Sequence, residues 1–367
     1  MRLRRTKLTA LLTCTLLVSA CSVGVQESIK EVNEIESSEP LQIKWPGLVV
    51  HRGKQICEKT ETTAVECFGK MEIDQAAISQ IKPVSIIDSG QNHTCVLKEG
   101  GIVYCWGAND VGQLGDPNET ADWSITPKPV PGIEEATFVW ADGSGTCVII
   151  RSSVIRCWGS IGDGSMQDST RPSDVVVLPG AISVYFGWNH ACALHEKGDV
   201  YCWGSNADYQ LGTIQDALSY SKEPVKVPGI SGAVYLAVGH HHSCALLMDQ
   251  TVRCWGSAQY GQLGNGTFDT HGLPGMVVGL SKVVRLEVGD GHSCAVLEDA
   301  TVWCWGWNEV GQLGDGTLNN REKPVKITSV PGIEEIAAGD ADSCVKKTKG
   351  DIFCWGESYS PVPVKVG

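Results

Sequence analysis

Positive charge is scarce in this chain: 29 lysines and arginines stand against 42 aspartates and glutamates, a net charge of −13. Such a surface repels phosphate backbones and anionic lipid headgroups, so nucleic-acid binding through a broad basic face is not expected. Recognisable catalytic patterns are missing as well. There is no G-x-S-x-G elbow, no H-E-x-x-H helix, no phosphate-binding P-loop and no dinucleotide fingerprint, which lowers the expectation of an enzyme but leaves a site assembled from distant segments untouched. The cysteines lack the C-x2-4-C spacing of zinc sites, and the Gly-rich loops offer far fewer oxygens than the six to eight that calcium takes. Neither a metal nor a cofactor is expected.

A long apolar run is absent from the N-terminus too. Leu8 to Val18 is too short to span a bilayer, but it follows Arg2, Arg4, Arg5 and Lys7 and precedes the small residues Ser19 and Ala20, the layout of an export signal. Val18 to Cys21 reads VSAC and resembles the lipobox of bacterial lipoproteins, which implies that Cys21 is lipidated as the first mature residue; an ordinary cleaved secretory signal is the alternative, and either removes Cys14. Loss of residues 1–20, which hold four cations and no anion, takes the net charge from −13 to −17. The expected organisation is a signal peptide over 1–20, an acidic flexible tether over 21–40 with Glu27, Glu31, Glu34, Glu36 and Glu39, and one folded body over 41–367.

What the chain has is cysteine in strict order. Setting Cys14 and Cys21 aside leaves seven pairs, each ten positions apart: Cys57 with Cys67, Cys95 with Cys105, Cys147 with Cys157, Cys192 with Cys202, Cys244 with Cys254, Cys294 with Cys304, and Cys344 with Cys354. Each second cysteine is followed by an aromatic residue and glycine. In an exported chain, paired cysteines at a fixed interval read as a disulfide framework. Successive units start 38, 52, 45, 52, 50 and 50 residues apart, within the range of propeller blades. Four short apolar segments recur in each, and the middle two form a hairpin: if Cys294 faces Cys304, then Ala295 faces Trp303 and Val296 faces Val302, with a turn around 298–300. Trp305, next to Cys304, then points to the other sheet face. A sheet buried on both faces needs neighbours on both sides, which sheets stacked around an axis supply.

The pattern G-x-x-H-[ST]-x-A-L, then [VI]-x-x-W-G and G-Q-L-G, is similar to the regulator of chromosome condensation repeat family. Here Gly239 to Leu246 reads GHHHSCAL, Val252 to Gly256 VRCWG and Gly261 to Gly264 GQLG, and the resemblance covers roughly residues 85–357. It implies an all-β fold, a seven-bladed β-propeller of four-stranded antiparallel blades, to which the cysteine register adds one intra-blade hairpin disulfide each. The first unit, Cys67 to Gly69 with no long loop after it, is the most degenerate. Leu41 to Gly47 and Pro363 to Val366 both look like a fourth strand, and one of them is expected to close the seventh blade across the termini. The exchange-factor activity of the family's eukaryotic namesake on a small nuclear GTPase conflicts with the leader and the acidic charge. A secreted relative inhibits a β-lactamase, which makes protein inhibition one conceivable role.

His93, His190, His242 and His292 share one repeat position and are expected to anchor a turn by hydrogen bonding rather than to catalyse. Binding is expected where the repeat is broken. The loops after strands one and three of an up-and-down blade emerge on the same face, and there the chain places Trp188, Asn189, His240, His241 and Asp290, and then Tyr209, Tyr260, Trp307, Asn308 and Glu309. These are the candidate binding residues. The expected function is a lipid-anchored extracytoplasmic scaffold on a bacterial membrane whose loop face recognises a protein or an envelope polymer. An envelope assembly component is one alternative. The other is an enzyme, for instance a carbohydrate-active one, using Asp290 and Asp340 beside His241.

Overall fold

The computed structural model describes residues 48–51, 55–60, 62–69, 72–151, 153–160, 169–214 and 219–366. The expected leader, the tether, Cys21 and the candidate strand Leu41 to Gly47 lie outside them. Among the described residues no helix is long and apolar enough to cross a membrane.

Short apolar segments punctuated by glycine turns fold into antiparallel sheets. In the unit of Cys294 and Cys304 the strands are Val283–Val288, His292–Leu297, Val302–Gly306 and Arg321–Ile327, hydrogen-bonded in that order. Five more four-stranded blades follow the same plan, beginning at Val84–Ser89, Ala136–Asp142, Ala181–Phe186, Ala233–Val238 and Ile333–Ala338. These first strands touch one another in succession and form the innermost layer around an axis.

Among the described residues six blades are four-stranded, not the seven expected. The Cys57 unit makes a sheet of three described strands, Leu48–His51, Gln55–Lys59 and Val65–Gly69. Its sequence shows why. No long loop and Pro-Val strand follow Gly69; the chain instead enters a short helix, Gln75–Ile78, capped by Asp74, whose carboxylate accepts from the Ala77 N–H. The Gln75 side chain then sits on the free edge of Val65–Gly69, where Oε1 accepts from Cys67 N at 3.1 Å and Nε2 donates to Val65 O at 3.0 Å. One amide thus satisfies two backbone groups that a fourth strand would have paired. The sheet's first strand touches both Ile333–Ala338 and Val84–Ser89, so this sheet lies between the last blade and the first. At the C-terminus, Val364–Val366 pairs with Ile352–Gly356 as the fourth strand of its own blade, Cys354 opposite Val364, rather than across the termini.

All seven expected disulfides form. Cys57 is bridged to Cys67, Cys95 to Cys105, Cys147 to Cys157, Cys192 to Cys202, Cys244 to Cys254, Cys294 to Cys304, and Cys344 to Cys354, with Cα atoms 4.1 to 4.2 Å apart. Each joins directly opposed residues of one hairpin; Cys157 faces Cys147, Cys202 faces Cys192 and Cys254 faces Cys244 in the same register as the reference pair. Six of the bridges therefore sit in four-stranded blades, and the seventh, at Cys57 and Cys67, sits in the three-stranded sheet. The register of the reference hairpin is the calculated one, with Ala295 opposite Trp303 and Val296 opposite Val302.

Behind each bridge of the six blades the tryptophan is buried against the preceding unit. The indole N–H of Trp305 donates to Gln262 O at 2.9 Å and that of Trp355 to Gln312 O at 2.8 Å, so the Gly-Gln-Leu-Gly loop of one blade receives the tryptophan of the next. A Cβ on Gly264, which already has φ of +63°, would come within 2.7 Å of the Trp305 Nε1; the loop needs glycine there for both reasons.

The repeated histidines form a second inter-blade link. Nε2 of His93, His190, His242 and His292 meets the hydroxyl of Thr146, Ser243, Ser293 and Ser343 in the next blade at 2.8 to 2.9 Å. The Ser293 and Ser343 hydroxyls donate onward to Gln262 O and Gln312 O, so each accepts from a histidine that carries its proton on Nε2. Burial lowers the pKa to about 3 for His190 and His242 and about 4 for His292, and the rings stay neutral.

Candidate binding face and axial cavity

Inner strands end in glycine at Gly90, Gly187, Gly239, Gly289 and Gly339. A Cβ at Gly289 would lie 2.2 Å from the carbonyl oxygen of Gly339, so neighbouring strands approach too closely there for any side chain. The next residue is the first free to leave the packed ring, and it is Gln91, Trp188, His240, Asp290 or Asp340.

At this rim the structure brings the two expected loop sets together. Trp188 is 62% exposed and lies against the rings of His240 and His241, with centroids 5.4 and 5.8 Å away. His240 Nε2 contacts Asp290 Oδ1 at 2.7 Å, and His241 Nδ1 faces Asp208 Oδ2 of the preceding blade at 3.3 Å. One blade further on, the rings of Tyr260 and Trp307 lie 6.0 Å apart above Gly291, whose missing side chain leaves them room: a Cβ there would meet Trp307 at 3.2 Å and Tyr260 at 3.4 Å. Asn189 and Glu309 are exposed beside these groups.

One expected residue is placed differently, and another is half-buried, as Trp307 is. Asn308 is fully buried; its Oδ1 accepts from Leu313 N at 2.9 Å and its Nδ2 donates to Thr317 O at 3.0 Å, so it holds the loop and reaches no partner. Asn109 and Asn206 do the same for Leu114 and Leu211. Tyr209 is half-buried, its ring edge close over Gly272 of the next blade. Of the residues considered for catalysis, Asp290 and Asp340 meet His240, whereas His241 turns to Asp208.

Below the rim lies an axial cavity of about 120 Å³, built by the distal halves of the inner strands. Among the described residues its lining holds the carboxyl groups of Asp88, Glu287, Asp290 and Asp340 and no lysine or arginine. Asp88 is fixed by the backbone N–H groups of Ser89 and Ala141. Glu287 accepts from the Tyr235 hydroxyl at 3.0 Å. Desolvation pushes its pKa up to about 8, so it carries a proton at neutral pH. Asp88, Asp208 and Glu287 escape a reading of loops alone. The available signal for Asp88 and Glu287 is a charge at an otherwise apolar inner-strand position; Asp208 has none, because its partner sits 33 residues away in another unit.

The fold and rim define a disulfide-stapled β-propeller that presents an aromatic and polar loop face. The family model for the RCC1-like domain matches residues 53–360, and the chain belongs to that family. Among curated relatives it is 30% identical over 226 residues to the E3 ubiquitin-protein ligase HERC2 of Homo sapiens, covering 57% of this chain and 5% of that protein. It is 26% identical over 203 residues to the ultraviolet-B receptor UVR8 of Arabidopsis thaliana, covering 53% and 46%. The chain thus spans less than half the length of either. Among solved structures it superposes on yeast RCC1 (Prp20), seen bound to Kap60, with TM-score 0.69, 20% identity and coverage of 90% and 86%. For human WBSCR16 the values are 0.67, 19%, 83% and 84%. At that identity the likeness is one of fold, and an RCC1-like propeller suits a protein-binding scaffold.

Proposed function

We propose that the protein is a binding scaffold of the cell envelope, held to a bacterial membrane through lipidated Cys21 and presenting its aromatic rim to a protein or envelope polymer. The observation that carries this reading is the rim itself. Trp188 stands 62% exposed on a histidine pair, and the exposed Tyr260 packs with half-buried Trp307, on loops that the disulfide-stapled blades hold rigid. Large aromatic groups left open on a rigid frame lose little conformational freedom when a partner covers them. The leader and VSAC motif support the anchor. Yeast RCC1, a structural neighbour, has been seen bound to Kap60, so a chain of this fold can hold another protein.

One experiment tests both halves. Replacing Trp188, Tyr260 and Trp307 together by Ala should abolish capture of a partner from envelope extracts, and Cys21→Ser should move the chain from the membrane to the soluble fraction. Undiminished capture sinks the rim assignment, and membrane retention of the serine variant sinks the lipid anchor.

A further inference from the structure

His240, Asp290 and Asp340 follow the terminal glycines of three consecutive inner strands, and one ligating atom from each lies within 4.8 Å of the other two. We propose that they form a site for one divalent first-row cation, such as Zn2+ or Mn2+, at the mouth of the axial cavity. The donor set is one imidazole nitrogen with two carboxylates. That mixture suits zinc or manganese better than calcium, which takes six to eight oxygens.

The geometry is close to what such an ion needs. Two ligands on one metal at bond lengths of about 2.0–2.2 Å sit roughly 3 to 3.5 Å apart. His240 Nε2 and Asp290 Oδ1, now 2.7 Å apart, would have to separate by only a few tenths of an ångström. Three protein ligands approach from one side, leaving the remaining positions to water.

Two further observations point to a cation. The residue types are not imposed by the repeat, since the same position holds Gln91 in the first blade and Trp188 in the third. Beneath the mouth the Asp88 carboxylate lines the cavity, and among the described residues no lysine or arginine does, an arrangement that favours a cation there. The close approach of Gly289 to the Gly339 carbonyl fixes the strand ends that carry Asp290 and Asp340, so the carboxylates meet without loop rearrangement. The site does not depend on the rim's partner.

Titrating the purified folded chain with Zn2+ alone, by calorimetry and by equilibrium dialysis with elemental analysis, tests the proposal. One ion per chain is expected. Affinity should fall by at least about 100-fold in Asp340→Asn and in His240→Ala, since loss of a direct ligand exceeds the cost of losing its supporting hydrogen bond. Glu298→Gln, at a hairpin turn, should bind as the parent does. In the parent chain Zn2+ should also shift the imidazole NMR signals of His240 and leave those of His242 and His292 in place, a readout that needs no variant. The absence of saturable one-to-one binding of either Zn2+ or Mn2+, unmoved His240 signals, or a full-affinity site in both variants would overturn it.

Discussion

His190, His242 and His292 lie in the packed seams between blades, and their ordinary pKa of 6.5 is lowered by burial to about 3 or 4. Below pH 6.5 the unfolded chain therefore takes up protons that the folded one refuses, and stability falls with pH through that window. Glu287 works in the opposite sense. Its pKa is raised from 4.5 to about 8, so the folded state holds a proton that the unfolded state releases, and its contribution, complete below pH 4.5, is lost as pH rises toward 8. Glu287→Gln keeps an acceptor for the Tyr235 hydroxyl and removes the titration. The variant should match the parent in thermal melting at pH 4.5 and gain on it as pH rises, by up to about 1.4 kcal/mol per pH unit crossed, levelling off above pH 8. An advantage that stays constant across that range would show that the Glu287 carboxyl titrates normally.

At the level of elements, the hairpins were legible because a ten-residue cysteine interval and strand alternation leave one register, and the structure keeps it. The tryptophan's partner was not legible: Gln262 O lies 43 residues before Trp305, in another unit, and periodicity within a unit says nothing about it. The rim was legible in outline, as the places where loops depart from the repeat. Asn308 was misplaced because a polar residue in a loop looks displayed, whereas its amide is used up inside the loop. Among the described residues one side chain takes the place of a fourth strand in the Cys57 sheet. Gln75→Ala should expose Val65 O and Cys67 N, cost about 1–3 kcal/mol in denaturant unfolding, and speed amide exchange at Cys67 while leaving Cys105 and Cys304 unchanged. Exchange that stays slow at Cys67 would mean that another group covers this edge.

At the scale of the whole molecule, the three-stranded sheet closes the ring from both sides. On one side Ile56 packs with Ala337, Cys344, Ile352 and Cys354 of the last blade, and Lys346 Nζ meets Glu58 Oε2 at 2.5 Å. On the other, Cys57 and Val65 pack with Ile78, Val84 and Trp106. Among the described residues the other seams carry more links. Those entering the blades of Trp158, Trp255, Trp305 and Trp355 carry both a tryptophan-to-loop and a histidine-to-hydroxyl link. The seam entering the Trp203 blade packs Phe186 between Trp140, which it meets at a tilt, and Trp203, which it meets edge-on. Among the described residues the seam at the last blade is held by a small apolar cluster and the Lys346–Glu58 ion pair, and it is expected to open first. Ile56→Ala should lower global stability by about 2–5 kcal/mol. More tellingly, hydrogen exchange should rise first in Gln55–Lys59 and Ile333–Ala338, while Ala181–Phe186 and Ala233–Val238, on the far side of the axis, keep the parent's protection until global unfolding. Uniform loosening of all inner strands would instead mean that the ring opens as one unit, and that the seam is no weaker than the links the sequence repeats.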